Sequence, residues 1–434
     1  SLVLYFDGGT NSKGYIFSQN LNLTIYLFIA VIIAIFIGLS VSAEEIINDR
    51  KILKREAFLS LSRLSYLSSK FLILSIISAI QTGLFVLVGN SIMQIKDMGT
   101  AYWLVLFSAS VFANLLGLNI SDSFKKTVNI YILIPFLIIP QLILSGVFVN
   151  YDQLNPRLSS QRSIPWYGEL ITARWAFEAL AVKQFNENRY QKEFLAFEQL
   201  KSRATYHKDY WVPEMTTLLG RWEKCNETEE KAQLEKLLNN ELKTHLQGLE
   251  KEAVDLSELQ LPYDPPATAS PEVLLEHLKQ VRSFYIRVFN RADEALEAHK
   301  QKLIKENGRD YLRYLREHYH NDNLERFVRR TDNFSLQRIV VLEEEIVQKF
   351  DPIYMSPTHP FIRAHFLSPA KRIGNTAYST YAVNVAVIWG FNALLFALLY
   401  SKVFQRLFLM GGRIKRHLVA RWTKSSTPSA HRKM

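Results

Sequence analysis

The chain reads as an all-α membrane protein that carries a large helical domain outside the bilayer, and three observations support that reading. Five runs contain no Asp, Glu, Lys or Arg and are long enough to cross a bilayer, which takes about 20 residues: 24–43, 71–95, 98–121, 127–151 and 373–401. The segment 152–372, between the last two runs, is densely charged and looks soluble. The net charge of +11 is concentrated, because nine basic residues and no acid lie between Ser379 and Met434. Burial inside a soluble core would account for one such apolar run, not for five.

Charge asymmetry sets the orientation. Residues 44–70 carry six basic and four acidic side chains, and Lys125 and Lys126 stand against Asp122. The alternate connections, 1–23 and 96–97, are neutral. Short loops rich in Lys and Arg stay in the cytoplasm. That places 44–70, 122–126 and the basic tail 402–434 inside, and 152–372 outside. A basic tail beside a span meets anionic headgroups rather than nucleic acid. The first visible span runs inward, so an earlier span is expected upstream of Ser1, making six. No initiating Met and no signal-peptide pattern precede it. The single cysteine, Cys225, allows no intramolecular disulfide.

Along the chain, 1–23 is an outer segment punctuated by Gly8, Gly9 and Gly14, without phosphate-loop spacing. The run 24–43 is rich in Ile and Val and has Gly38, Ser40 and Ser42 for close helix packing. After it, Ile46, Ile47, Ile52 and Leu53 recur at helical spacing among charges. This pattern suits either a coupling element that receives force from a partner domain or a solvated connector. Runs 71–95 and 98–121 form a hairpin with an outer turn at 94–100. Run 127–151 returns outward and contains Pro135 and Pro140, which a membrane helix tolerates better than a soluble one.

The stretch up to Phe185 then turns amphipathic, with Trp166, Glu169, Arg174 and Glu178, and reads as a membrane-proximal lid over 152–185. Further on, Ser270-Pro271 is a helix start. A heptad-like seam follows through Leu274, Leu278, Val281, Tyr285, Val288, Ala292 and Ala295. Residues 261–270 read as a loop and 336–350 as another helix. The last span, 373–401, runs inward to the basic tail.

Chemistry is sparse. Glu317, His318, His320 and Asp322 are close in sequence, but His-x-His is not the i, i+4 spacing that puts two imidazoles on one helical face. These residues read as the polar, solvent-facing side of a helix with no metal, and His359 and His365 are read the same way. No nucleophile-elbow or zinc-protease pattern occurs, so no catalytic site is expected in this chain. Arg and aromatic residues alternate over 311–320 and 326–330, but the balanced charge and outer location speak against nucleic acid.

Four local patterns resemble the transmembrane domain of G-subfamily ABC transporters: SAEEIINDRKILKRE (42–56), YLSSKFL (66–72), PFLIIPQLILSGVFVN (135–150) and RWAFEALAVKQF (174–185). The resemblance implies a six-span permease working as a homodimer, with membrane lipids around it. Its partner would be an ABC ATPase domain, upstream or on another chain, that holds the ATP and Mg; no cofactor is expected in this chain. The resemblance also implies a central cavity lined by 24–43 and 127–151, with Ile35, Gly38, Pro135 and Pro140 at it. Glu45 matches the family's coupling glutamate, with Asp49, Arg50, Arg55 and Glu56 beside it. The third-span position of a basic partner for that glutamate falls on Ala79. Val147 and Phe148, after Ser145-Gly146, match the apolar valve below the exit. Trp166, Arg174, Phe177 and Glu178 match the outer lid.

So apolar a cavity implies export of a lipophilic or envelope-destined cargo across a bacterial inner membrane. The alternative is a non-transporting energy transducer that acts on an envelope partner through 152–372. Beyond its first turns that insertion resembles no family.

Overall fold

Uncharged aliphatic runs leave backbone N–H and C=O groups no partner in an apolar solvent except their own helix. In the computed structural model those runs are helical over most of their length. The structure describes residues 10–11, 14–55, 62–124, 126–149, 151, 163–252, 270–331, 337–357, 359 and 361–406. A small hairpin, β1 (Thr10–Asn11) and β2 (Gly14–Tyr15), precedes α1 (Leu23–Ser42). Then come α2 (Glu45–Arg55), α3 (Arg63–Met93), α4 (Gly99–Ser123) and α5 (Thr127–Ile143). Among the described residues, four helices are long and apolar enough to cross a membrane: α1, α3, α4 and the C-terminal Thr380–Tyr400; α5 is a shorter apolar helix of 17 residues.

The insertion is mostly helical. A short turn at Trp166–Glu169 leads to α6 (Thr172–Asn186) and α7 (Gln191–Thr205). A π-helical turn, Tyr206–Trp211, joins α7 to α8 (Val212–Lys224). Next are α9 (Thr228–Glu252), α10 (Pro271–Asn307), α11 (Arg309–Tyr319) and α12 (Asp322–Arg329). Two antiparallel hairpins follow, β3 (Ile339–Val341) with β4 (Ile346–Gln348) and β5 (Ala370–Ile373) with β6 (Thr376–Ser379), before α13 (Thr380–Tyr400).

Helix α4 is the hub of the bundle, buried along most of its length against α1, α3 and α13. Small residues allow the close approach. A methyl group at Gly38 of α1 would lie 2.6 Å from the Ser110 carbonyl oxygen. Polar side chains tie the spans where hydrocarbon offers no alternative partner. Asn114 donates to Ser78 Oγ (2.7 Å), and Asn119 donates to the Leu395 carbonyl (3.0 Å).

Four sequence expectations need correction. Helix α3 starts at Arg63, earlier than the charge-free run, because Ser62 caps it by accepting from Ser65 N. Helix α5 ends at Ile143 rather than continuing to 151, since the chain turns at Ser145 and Gly146. The last span begins at Thr380: residues 373–379 belong to a hairpin that turns at Gly374 (φ +64°), and their uncharged side chains only mimic a span. Residues 339–348 form a hairpin, not a helix. Ile339, Val340, Val341, Ile346 and Val347 are β-branched, and the Glu241 carboxylate accepts from Ile346 N at 2.7 Å.

The seam on α10 is present. Leu278, Val281, Tyr285, Val288 and Ala292 are buried, after which the stripe shifts to Leu296 and leaves Ala295 exposed. It packs against α7 and α8 of the same chain. The expected loop at 261–270 lies outside the described residues up to 269.

The insertion sits on one end of the bundle, here the rim, and α2 on the other, the base. At the rim, the buried Asn321 amide donates to the carbonyls of Phe17 and Asn20 (2.8 Å each), and Thr24 bonds Asn323 (3.0 Å). At the base, Arg63 donates to the Leu399 carbonyl (2.8 Å) and pairs with Asp122 (3.3 Å).

Candidate functional site

At the base, α2 is amphipathic as its spacing predicts, with Ile46 buried and Lys51, Ile52, Lys54 and Arg55 exposed. The Ser121 hydroxyl caps it, accepting from Ile46 N (3.1 Å) and Ile47 N (3.0 Å). Arg50 reaches the carbonyls of Ser121 (3.2 Å) and Asp122 (2.9 Å) at the end of α4. Lys70 of α3 bridges Glu45 (2.7 Å) and Asp49 (2.8 Å), and Tyr66 donates to Asp49 (2.9 Å). The third-span position of the resembled family's basic partner falls on Ala79, and Glu45 instead meets Lys70, about two turns into α3. The Ala79 carbonyl instead accepts from the Trp103 indole (3.0 Å). Glu56 lies outside the described residues.

Of the predicted cavity residues, Ile35 is 1% exposed and Gly38 is packed on α4, so both face the interior of this chain. Apolar periodicity could not tell the two faces of α1 apart, because that helix is hydrophobic all round. Its open stripe holds Ile25, Ile29 and Phe36. Helix α5, with Pro135 and Pro140 inside it, leaves Val128, Ile132, Phe136 and Ile139 exposed. The open faces of α1 and α5 flank one packed seam.

At the rim, the chain leaves α5 through a turn that requires glycine. Gly146 has φ +79°, and a Cβ there would lie 2.5 Å from the Tyr151 ring. The Tyr151 hydroxyl donates back to the Leu144 carbonyl (2.9 Å). Val147 is half-buried. Phe148 is 65% exposed and packs edge-on against Phe28 (5.3 Å between centroids). Phe28 meets Phe177 (5.7 Å), and Phe177 meets Phe327 of α12 (5.7 Å), so an aromatic column links the turn to the insertion.

The predicted lid residues are not an amphipathic surface. Trp166 is exposed, but Arg174, Phe177 and Glu178 are fully buried in α6, which is covered on all sides. Their charges are tolerated because they are paired. Arg174 contacts Glu169 (2.5 Å) and Glu178 (3.0 Å), and its guanidinium stacks on Trp175 (3.6 Å). Glu178 also receives Lys371 (2.7 Å), Asn384 (2.9 Å) and Leu367 N (3.1 Å). Burial opposes ionisation of Glu178, but Lys371 and Arg174 more than offset it and hold its carboxyl below the usual range. Burial pushes Lys371 down to about 8 against the pull of Glu178, so the pair is charged at neutral pH. Lys371 and Asn384 carried no sequence signal beyond one lysine just before a span.

One cluster has metal-ligating residue types: His320, Asp322 and Glu325 lie within 4.8 Å of one another. The arrangement is already charge-balanced. Arg316 pairs with Asp322 (3.3 Å), and Arg329 pairs with Glu325 (2.9 Å). Burial works against ionised Glu325, yet His320 and Arg329 hold it at about 2. A divalent cation would have to displace both arginines. Glu317 and His318 are outside the cluster, and His318 is bonded to the Tyr314 carbonyl.

Residues 5–185 match the model of the ABC-2 type transporter family. Comparison with curated proteins and with solved structures finds no match. The matched segment runs from before α1 to the end of α6, so it takes in the base contacts and the glycine turn but not Lys371 or the rest of the insertion.

Proposed function

We propose that this membrane component of an ABC transporter is the permease half of an ATP-driven exporter. It would act as a homodimer in a bacterial inner membrane, with 152–372 on the periplasmic side. The ABC ATPase that such a domain works with binds ATP and Mg and supplies the driving motion. The observation that carries the reading is the base cluster. Glu45 and Asp49 share one lysine of α3 while Arg50 and the Ser121 cap fix α2 to α4, so a push on α2 is delivered to two spans at once. The open apolar faces of α1 and α5 supply a surface for the second copy and for a lipophilic cargo. Phe36 and Ile29 of α1 replace Ile35 and Gly38 as the residues facing it, and Val147 and Phe148 stand at its exit.

The test is transport by the full assembly in proteoliposomes. Glu45→Ala should cost under ~1 kcal/mol of stability, since the pair is partly exposed, while lowering cargo moved per ATP by tenfold or more. Phe148→Ala should raise leak through the exit. Unchanged transport in both variants would overturn the reading.

The aromatic column and the Asn321 anchor favour a second reading, in which the motion drives the insertion as a scaffold or gate for an envelope partner. In that case a cross-link closing the open face of α1 would leave partner activation intact, whereas it would abolish export.

A further inference from the structure

The β5–β6 hairpin that leads into the last span is exposed and apolar at once. Residues 373–379 are all exposed, and none carries a charge. The register decides which side chains share a face. Ile373 pairs with Thr376 and Lys371 with Tyr378, while Phe361 bridges to Ile373. Opposed residues point the same way, and the two faces alternate along each strand. Phe361, Ile373 and Tyr378 therefore lie on one face, and they are 61%, 44% and 47% exposed. We infer that this face seats in the head-group layer of the bilayer at the rim, so that the hairpin anchors the insertion to the lipid surface.

Three observations point to lipid as the occupant. The first is position. Ser379 caps α13 by accepting from Ala382 N, so β6 runs into the span without a linker. The 21 residues of α13 extend about 31 Å. That is the thickness of a hydrocarbon core of about 30 Å, which puts Thr380 at its edge. Tyr378, two residues earlier, is at most about 7 Å along the chain from that edge, within a head-group layer roughly 5–8 Å deep. Lys371, opposite Tyr378, fixes the level, because its ammonium reaches Asn384 (2.8 Å), one turn inside α13. Tyrosine is enriched at that depth, where its ring meets acyl chains and its hydroxyl meets water.

The second is charge. An open strand edge in water is blunted by charged side chains or covered. Among the described residues β6 pairs on one side only, and it has no charge to blunt the other. Neither Asp nor Glu occurs from Pro352 to the end of the chain, so the hairpin carries no group that lipid phosphates would repel. Its charges are Lys371, already held by Glu178, and Arg372.

The third is strain. Ile362 has φ +45°, a conformation that β-branched residues rarely take. Its N–H donates to the Arg372 carbonyl (2.8 Å), which holds Phe361 beside Ile373. Strain of this kind persists only where the surroundings impose it, and it clusters at functional positions. A phenyl ring turned into water gains nothing from that conformation, whereas one turned into acyl chains leaves water behind.

The inference rests on the chain spanning a membrane and not on transport, so its test runs without ATP or cargo. Full-length protein with Cys225→Ser receives one new cysteine, by Phe361→Cys, Ile373→Cys or Tyr378→Cys, or by Lys302→Cys on the exposed side of α10 as a reference. Each cysteine carries a neutral, environment-sensitive fluorophore. In nanodiscs, lipid nitroxides near the head of the acyl chain should quench the three rim labels at least threefold more than the reference, and more than nitroxides at the methyl end do. Iodide should quench the reference at least threefold more than the rim labels. Ile373→Glu with Tyr378→Glu, both at exposed positions, should lower lipid quenching of the label at 361 at least threefold, with the thermal transition kept. Iodide quenching of the rim labels equal to the reference would overturn the inference by placing the face in water. Protection from both quenchers would overturn it as well, and would assign the face to a second copy or another protein. So would a label at 361 whose lipid quenching the two glutamates leave unchanged.

Discussion

Replacing Glu178 by glutamine is expected to destabilise the protein more than any other isosteric change at the rim. The carboxylate accepts from Arg174 (3.0 Å), Lys371 (2.7 Å), Asn384 (2.9 Å) and Leu367 N (3.1 Å), and it is fully buried. Glutamine keeps the volume but turns one acceptor into a donor facing donors. Arg174 retains Glu169, whereas Lys371 loses its only described ionic partner. Removing one member of a buried pair costs about 3–5 kcal/mol, while exchanging both for apolar groups is near neutral. Glu178→Gln should therefore lose about that much, and Glu178→Gln with Lys371→Met should recover most of it, for a coupling energy of 2 kcal/mol or more on the order of that rule. Lys371 in the single variant is a base depressed further below its unfolded value. Its deficit should shrink as pH rises from 7 through about 8, where the parent's folded Lys371 gives up its proton too, and should be level from there toward 10, where both folded proteins have lost a proton that both unfolded chains still hold. Equilibrium unfolding in mixed micelles across that pH range measures both effects. A single-variant loss under ~1 kcal/mol, additive with Lys371→Met, would refute the reasoning.

Three further outcomes are expected. Gly38→Ala should cost about 1–3 kcal/mol by overpacking, and Ser110→Ala should not rescue it, because the clash is with a backbone oxygen. Asn321→Ala removes a buried donor from two carbonyls and the cap on Leu324 N, so the insertion should release from the rim, read as faster proteolysis of α12 with α3–α4 still protected, at a cost of about 1–3 kcal/mol per orphaned group. Burial depresses His207 well below its ordinary value, His245 to about 3 and His365 to about 4. Their contribution is complete above pH 6.5 and is lost as pH falls toward those values, with a slope of up to about 1.4 kcal/mol per pH unit for each histidine. Thermal scans between pH 6.5 and 5 should show it, and His207→Phe should flatten the slope by about a third.

The bundle was legible in the sequence because exclusion of charge over twenty residues is a strong constraint, and α1, α3 and α4 follow from it. Where absence of charge was the only signal, the ends came out wrong. Residues 373–379 are uncharged yet extended, and 144–151 are uncharged yet turned. The faces of α1 were illegible for a related reason, since a helix apolar all round has no stripe to read. Long-range polar pairing was hidden altogether. Arg174 and Glu178 read as evidence of a surface, because the sequence gives no sign that Lys371, almost two hundred positions away, neutralises them. The local pattern at Glu45 and Asp49 was legible in residue type, but the resemblance put the position of their basic partner at Ala79, whereas Lys70, nine residues earlier on the same helix, holds both.

The distribution of polar ties indicates which span can move. Helices α3, α4 and α13 are cross-bonded by Asn114, Asn119 and Asn392, and α6 is fixed to α13 through Glu178 and Asn384. Sliding any of these past another breaks buried bonds to charged or amide groups, each worth about 1–3 kcal/mol. Helix α5 differs. Most of its length is held by apolar contacts that reform after a shift, and its described polar ties lie toward its two ends. Near the base the exposed Tyr131 hydroxyl lies close to the carboxylate of Glu44, the residue before α2; near the rim Gln141 accepts from Ala173 N (2.9 Å) at the start of α6. Pro140 removes one helical donor in the last turn of the same helix. The least costly relative motion in the bundle is thus α5 against the rest, moved at its base from the segment that leads α2 and pivoting where it meets α6. A displacement of that kind acts directly on the Gly146 turn and on Phe148, and leaves the ionic cluster at the rim intact.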